Sequence, residues 1–287
     1  MEFLILFFVF ILGASFGSFG SVLIRRLRGG LSWDNFSSII FGRSECPQCR
    51  NKLDALQLFP FLGWIFQRGK CKYCKNSIPI FYLFLEFFAG LIFVFSFLLA
   101  GFFVGGFDLV NTQFWGYFVF LAMINWILLL MIFEDLLFYH INVFLWLFVV
   151  LWAVLWQFFG FVGDYFMAFW GGIIFFLVFY GVYWFGRFYV KYRFGLDGVE
   201  GFGEGDVMVA FLVGILSFMV LNEFSVLGMI EFAFYYLIVS CLFGLIFYLG
   251  RGVFLSFKQG QSIPFLPAMI VAFWVMVLLG YDFLFFI

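Results

Sequence analysis

The hydrophobic positions of the chain form long uninterrupted runs, which are separated by short stretches rich in polar residues. Runs of about 15 to 25 apolar residues are long enough to cross the hydrocarbon core of a bilayer. We count eight such runs and predict that they are transmembrane helices, at residues 3–24, 80–104, 114–134, 142–161, 166–186, 207–221, 229–249 and 266–285. The pattern therefore predicts an all-α polytopic membrane protein.

Composition agrees with this fold class. Of the 287 residues, 66% are hydrophobic and 11% are charged, whereas a soluble domain has roughly 45–50% and about 25%. The first apolar run has no basic residue before it, and Arg25 and Arg26 follow it. A cleavable signal peptide has its basic residues in front of the apolar core, so we expect a retained helix. We divide the chain into this helix (1–24), a loop domain (25–79) and a seven-helix membrane domain (80–287).

The positive charges predict the orientation in the membrane. Of the 15 Lys and Arg residues, ten lie between Arg25 and Lys75, three lie between residues 187 and 193, and two are Arg251 and Lys258. These segments follow predicted helices one, five and seven, so all of them fall on the same side of the membrane. Lys and Arg are enriched in cytoplasmic loops. We therefore predict that this side is cytoplasmic and that both termini are non-cytoplasmic.

Two acids lie at the predicted cytoplasmic ends of apolar segments. Asp135 ends helix three, and Asp206 opens helix six after Gly203 and Gly205. An acid in a membrane-length segment is energetically costly and is a functional candidate by default. We predict that Asp135 and Asp206 share one site, with Gly203 and Gly205 supporting it. The competing interpretation is that Asp206 only caps the helix that follows it.

The helix ends also suggest which acid carries a shared proton. The start of a helix favours an ionised carboxylate, and the end of a helix favours a protonated one. We therefore expect Asp206 to be ionised and Asp135 to be protonated.

The loop 25–79 contains two Cys-x-x-Cys pairs, Cys46 with Cys49 and Cys71 with Cys74, separated by 21 residues. Two such pairs at this separation are typical of a zinc site with four thiolates. Disulfides are the alternative, but the cytosol keeps thiols reduced. We predict a structural zinc ion in a zinc-ribbon-like loop. We expect Cys241, in helix seven, to be an inert core residue.

Two weaker patterns concern the first two helices. Glu86 lies near the cytoplasmic start of helix two and is a candidate supporting residue, although a buried pair with an arginine is equally plausible. Glycines at positions 13, 17 and 20 give helix one a face of small residues, which predicts close packing against another helix.

Taken together and in this order, the motifs resemble those of the type IV prepilin peptidases, which are Gly-x-Gly-Asp membrane aspartic proteases. The matching elements are Gly17-Ser18-Phe19 with Arg26-Leu27, Cys46-Pro47-x-Cys49, Gly69-x-Cys71-x-x-Cys74, Tyr82-x-x-x-Glu86, Asp135, Gly203-x-Gly205-Asp206, and Ile263-Pro264-Phe265 with Pro267. The chain departs from the family at Asn142, where a proline is frequent, at Met208, where a lysine is common, and at Ser21, where an asparagine is expected.

The resemblance implies that Asp135 and Asp206 are the catalytic acids of an aspartic endopeptidase. Such enzymes lie in the bacterial inner membrane and remove the short basic leader of prepilins or pseudopilins at the cytoplasmic face. Many members also methylate the new N-terminus with S-adenosylmethionine. This second activity rests on the resemblance alone, and we predict no residues for that cofactor. The expected partners are the prepilin or pseudopilin substrate and the lipid bilayer, and no nucleic acid.

A non-enzymatic interpretation competes with this one. Intramembrane acids also line ion pathways, so the chain also fits a transporter, or a scaffold with a zinc-ribbon docking loop. An ion pathway would place the acids near the bilayer midplane, whereas Asp135 and Asp206 are predicted to lie at one face.

Overall fold

The computed structural model describes residues 2–27, 37–39, 41–158, 165–195, 203–220, 225–254 and 264–279. These residues are mostly helical and contain no β-strand beyond two isolated bridges in the loop that carries the cysteines. The predicted all-α class is therefore confirmed.

Among the described residues, eight long helices occupy the eight predicted segments. They are α1 (Glu2–Leu27), α2 (Phe81–Val104), α3 (Thr112–Phe138), α4 (Val143–Phe158), α5 (Tyr165–Phe194), α6 (Glu204–Val220), α7 (Val226–Phe254) and α8 (Leu266–Leu279). The described part of the loop between α1 and α2 includes the short helices Ala55–Leu58 and Leu62–Phe66.

Helix length and composition agree with a multi-pass membrane protein. Among the described residues, five helices are long and apolar enough to cross a membrane, namely α1, α2, α3, α5 and α7. The apolar helices α4 and α8 are shorter, with 16 and 14 residues. Helix α6 has 17 residues, which corresponds to about 26 Å at the rise of an α-helix.

In the described part of the chain, four helices continue past the C-terminal ends of the predicted apolar runs. Helix α1 continues to Leu27, α3 to Phe138, α5 to Phe194 and α7 to Phe254. The apolar run marks only the part of a helix that suits the bilayer core, whereas the helix itself continues for as long as its backbone hydrogen bonds are made. The predicted ends of helices four, six and eight lie outside the described residues.

The described chain forms two compact units that divide between Phe133 and Glu134. In the first unit, α1 packs closely on α2. A Cβ atom at Gly13 would lie 2.6 Å from the Ala89 carbonyl oxygen, and one at Gly17 would lie 2.7 Å from the Cα of Glu86. The face of small residues predicted for helix one is therefore a packing surface.

In the second unit, glycines bring α5 and α6 together. A Cβ atom at Gly214 would lie 2.6 Å from the carbonyl oxygen of Gly171, and one at Gly172 would lie 2.8 Å from the Ile215 side chain. Small residues allow two helix backbones to approach this closely. This contact holds α6, the helix that carries Asp206, against α5.

The prediction for Cys241 is wrong, because this residue is exposed on the surface of α7. A thiol is a small and weakly polar group. It is therefore acceptable on a helix surface that faces lipid as well as in a core.

Candidate active site and metal centre

Asp135 lies in the last turn of α3, and 8% of its surface is exposed. The helix ends where Tyr139 takes a left-handed conformation with φ of 53° and donates its N–H to the Asp135 carbonyl oxygen over 3.0 Å. The Oδ2 atom of the Asp135 side chain accepts the N–H of Leu266 over 3.2 Å. Leu266 is the first residue of α8, where backbone N–H groups have no partner within the helix. The start of α8 therefore holds the Asp135 carboxyl group in place.

The segment before α8 carries the C-terminal motif of the resemblance. Pro264 is buried, and the carbonyl oxygen of Phe265 accepts the N–H groups of Ala268 and Met269 over 3.0 and 3.2 Å. Ile263 lies outside the described residues. The described part of the motif thus forms the beginning of α8, next to the hydrogen bond that Leu266 donates to Asp135.

Asp206 is the third residue of α6 and is half-buried. Its Oδ2 atom accepts the N–H of Gly203 over 3.1 Å, and its own N–H donates to the Gly203 carbonyl oxygen over 3.1 Å. The side-chain bond is the arm of a capping box that reaches back from the third helical residue. Asp206 therefore does help to cap α6, as the competing interpretation held. The cap uses Oδ2, so it is compatible with a second role for the other oxygen.

The two acids lie close enough for the charge of Asp135 to act on Asp206. Both residues belong to the second compact unit. The fold thus places both acids in one compact unit, within range of each other's charge, although 70 residues separate them in the chain. That they share one site stays a prediction.

The prediction that Asp206 is ionised and Asp135 is protonated loses its physical basis in the structure. Asp135 accepts an N–H at the start of α8, and Asp206 accepts one at the start of α6. The positive end of a helix dipole therefore acts on each acid. The ends of α3 and α6 alone favour a protonated Asp135, but the start of α8 adds a third helix end that acts on this acid.

Close contacts explain both glycines of the turn that precedes Asp206. A Cβ atom at Gly205 would lie 2.7 Å from the Cδ1 atom of Ile141, and one at Gly203 would lie 3.3 Å from the Oδ2 atom of Asp206. A larger residue at position 205 would displace Ile141 or the first turn of α6. Both glycines therefore have a structural reason to accompany Asp206.

The structure adds a pair of residues that sequence reasoning missed. Glu134 is 4% exposed, and its Oε1 atom accepts a hydrogen bond from the Asn142 side-chain amide over 3.4 Å. The Oδ1 atom of Asn142 accepts the N–H of Phe144 over 3.0 Å at the start of α4. Neighbouring residues on a helix point about 100° apart, so Glu134 and Asp135 reach different partners. The only sequence signal for this pair was the departure from proline at position 142.

Glu86 belongs to the first unit and is not paired with an arginine in the described chain. Its Oε2 atom accepts the N–H of Phe61 over 2.9 Å, and the side chain also bonds to Ser18. It lines a cavity of about 160 Å³ between α1, the cysteine loop and α2, which Arg25 and Trp64 also line. A supporting role for Glu86 in the reaction stays a prediction.

The two cysteine pairs form two turns of the same construction. The N–H of Cys46 donates to the Asn51 carbonyl oxygen over 3.0 Å, and the N–H of Cys71 donates to that of Asn76 over 2.8 Å. The thiols of the two turns point towards each other, and the four sulfur atoms lie within 4.8 Å of one another.

The sulfur positions fit a tetrahedral metal ion. The Sγ atoms of Cys46 and Cys74 are 3.8 Å apart, and those of Cys49 and Cys71 are 4.0 Å apart. Four thiolates bound to zinc at about 2.3 Å are about 3.8 Å from one another, whereas a disulfide needs about 2.05 Å. The geometry is consistent with zinc and does not fit disulfides between these cysteines.

Two of these thiols have shifted pKa values. The N–H groups of Cys74 and Tyr73 hydrogen-bond the Cys71 thiolate and lower its pKa to about 6. At Cys74 the N–H of Asn76 acts in the same direction, but burial and the three neighbouring thiols outweigh it and raise the pKa to about 11. Thiolates packed this closely repel one another, and a bound cation removes that repulsion. The cluster therefore has the electrostatic character of a metal site.

Comparison with known proteins agrees with these features. Residues 11–100 match the family model of the bacterial peptidase A24 N-terminal domain. The matched range contains most of α1, the four clustered cysteines and Glu86, while Asp135 and Asp206 lie beyond it. No curated protein and no solved structure matches the chain at a significant level. Over residues 11–100, the match confirms the resemblance found in the motifs of helix one, the cysteine loop and helix two.

Proposed function

We propose that the protein is an intramembrane aspartic endopeptidase that removes the leader of type IV prepilins or pseudopilins at the cytoplasmic face of the bacterial inner membrane. The observation that carries this proposal is that Asp135 and Asp206, which both lie in the second compact unit, each accept a backbone N–H at the start of a helix. The family match supports a peptidase, and the pair supplies the groups that an aspartic peptidase needs.

The chemistry follows from two carboxyl groups that share one proton, because two neighbouring acids do not readily ionise together. The ionised carboxylate takes a proton from a water molecule, and the oxygen of that water attacks the scissile carbonyl carbon. The protonated carboxyl group donates a hydrogen bond to the carbonyl oxygen and stabilises its developing charge. The C–N bond then breaks, and the leaving amine receives a proton from the pair. No covalent intermediate with the enzyme is needed.

The zinc ion, when bound by Cys46, Cys49, Cys71 and Cys74, has a structural role. Four protein ligands fill a tetrahedral zinc ion and leave no open position for a substrate. The ion would hold the two cysteine turns together, and the reaction at Asp135 and Asp206 does not pass through it.

The experiment is a cleavage assay on purified protein with a candidate prepilin, read by mass spectrometry. We expect the leader to be lost from the substrate. Parallel reactions with and without S-adenosylmethionine test the methyl transfer that the family resemblance implies, because the product would then gain one methyl group.

Asp135→Asn and Asp206→Asn should each slow cleavage by about 10²–10⁴-fold, because each removes a group that transfers a proton. Asp108→Asn is a matched control, because Asp108 is also an acid that accepts a backbone N–H, that of Val110 over 3.0 Å, in the loop between α2 and α3. It should cleave at the wild-type rate.

Cleavage at the wild-type rate by Asp135→Asn or Asp206→Asn would remove that acid from the reaction. A folded wild-type protein that cleaves none of the prepilins supplied would instead favour the transporter or scaffold interpretation.

A further inference from the structure

A chain of polar contacts connects the end of α5 to the first residue of α6. The Arg187 guanidinium donates from Nη1 to the hydroxyl oxygen of Tyr183 over 2.7 Å. The Tyr183 hydroxyl in turn donates to the Oε1 atom of Glu204 over 2.9 Å. A cation and a carboxylate are thus joined through one phenol.

Tyr183, the central residue of this series of polar contacts, is buried and held from both sides. Tyr183 is 3% exposed, and a buried hydroxyl normally needs hydrogen-bond partners. Arg187 also lies over two rings, with its guanidinium carbon 5.6 Å from the Tyr183 centroid and 5.7 Å from the Trp184 centroid. Hydrogen bonds to charged groups are stronger than those between neutral groups, so these contacts restrain the Glu204 side chain although Glu204 itself is exposed.

Glu204 opens the turn that carries Asp206. It is the first residue of α6, and Asp206 is the third. In the same turn the Asp206 carboxylate accepts the N–H of Gly203. A restraint on Glu204 therefore restrains the backbone from which the Asp206 side chain departs.

The remaining contacts of α6 restrain it further along its length. The Trp146 indole N–H donates to the Met208 carbonyl oxygen over 2.7 Å, and the packing of Gly171 against Gly214 lies ten residues beyond Glu204. Of these contacts, only the one from Tyr183 acts on the first residue of the helix. This is the reason to expect an effect on the reaction rather than on folding alone.

We propose that Tyr183 and Arg187 are positioning residues, which hold Glu204 and thereby keep the Asp206 carboxylate in its reactive place. This inference rests on the proposed function, because it takes Asp206 as a catalytic residue. A displacement of about 1 Å at a reacting group costs up to about 10²-fold in rate. Loss of the chain of contacts should therefore lower kcat while the protein remains folded.

The first test replaces only the hydroxyl group. Tyr183→Phe should lower kcat about tenfold, the loss expected for a hydrogen bond to a charged group, and should leave KM nearly unchanged. Tyr180→Phe is the matched control, because it removes a hydroxyl from the same helix at a ring that is 41% exposed. It should leave both constants unchanged. An unaltered kcat in Tyr183→Phe overturns the proposal.

A double variant tests whether the effect passes through Glu204. If it does, Tyr183→Phe combined with Glu204→Ala should be no slower than the slower single variant, because both remove the same contact. Arg187→Lys keeps the charge and a donor, and it should retain more activity than Arg187→Leu. If the losses of kcat in Tyr183→Phe and Glu204→Ala multiply in the double variant, the effect of Tyr183 does not pass through Glu204.

A third measurement does not depend on cleavage. Amide hydrogen exchange over residues 203–210 should become faster in Tyr183→Phe and should stay unchanged in Tyr180→Phe. If the wild-type protein cleaves nothing but this exchange effect is present, the proposed function fails while the restraint on the turn stands. Unchanged exchange in Tyr183→Phe would overturn the restraint itself.

Discussion

The side-chain amide of Asn142 makes two hydrogen bonds next to the proposed catalytic pair. Asn142 caps α4 through its Oδ1 atom and donates from Nδ2 to the buried Glu134 carboxyl group. The Oε2 atom of Glu134 is buried and has no hydrogen-bond partner among the described residues. Hydrogen bonds from the side-chain amide and the backbone N–H of Asn142 therefore compensate for burying this acid. A proline at position 142 has no side-chain amide and no backbone N–H, and could not supply them.

We predict that Asn142→Ala lowers the free energy of unfolding by about 2–4 kcal/mol. The reason is the combined loss of a helix cap and of the donor to a buried carboxyl group. The measurement is thermal or denaturant unfolding of the protein in detergent micelles.

Asn111→Ala is the control for this prediction. The Oδ1 atom of Asn111 accepts the N–H of Gln113 over 2.9 Å at the start of α3, so this variant loses a cap without affecting a buried acid. It should cost only about 1 kcal/mol. Equal losses in the two variants would show that the bond to Glu134 contributes nothing.

At the scale of elements, the two cysteine turns are each too small to be stable alone. Each offers two thiols, and a common metal ion is what would join them into one folded loop. Metal binding and folding are therefore expected to be coupled in this loop.

Cys49→Ser and Cys74→Ser should each reduce bound zinc strongly and make the loop between α1 and α2 sensitive to protease. The measurements are elemental analysis of the purified protein and limited proteolysis, and removal of the metal with a chelator should reproduce the effect of the variants.

Cys241→Ser provides the control, because Cys241 lies on the surface of α7 and outside the cluster. It should keep the full metal content. A wild-type protein that contains no metal and has a protease-resistant loop would contradict the coupling.

At the scale of the whole molecule, the distribution of Lys and Arg predicts which loops face the cytoplasm. With eight spans and the basic loops inside, the loop between α2 and α3 lies outside and the loop between α3 and α4 lies inside. The same topology places the two proposed catalytic acids at the cytoplasmic boundary.

This topology can be tested by cysteine labelling in a Cys241→Ser background. A membrane-impermeant maleimide added to intact cells should label Asp108→Cys, and it should label His140→Cys only after the cells are broken. Position 140 is exposed, so protection in intact cells would reflect the membrane and not burial. Labelling of His140→Cys in intact cells would reverse the orientation.

Within the described residues, the sequence by itself determined which segments are helical and that four cysteines cluster, and it singled out Asp135 and Asp206 as candidate acids. Each of these depends on local composition or on short spacings, such as an apolar run of membrane length or two residues between cysteines. The eight helices occupy the predicted segments for this reason, and errors occur mainly at their ends. There the apolar run stops while the backbone hydrogen bonds continue.

Only the tertiary structure decided what surrounds each acid. Asp135 is bonded to Leu266, 131 residues further along the chain, and Glu204 is bonded to Tyr183 on another helix. Such partners meet because helices pack against each other. The pattern of residues within one segment does not indicate which distant backbone group will contact it. The prediction that Asp135 is the protonated acid lost its basis for this reason, because the start of α8 reaches Asp135 only in the folded protein.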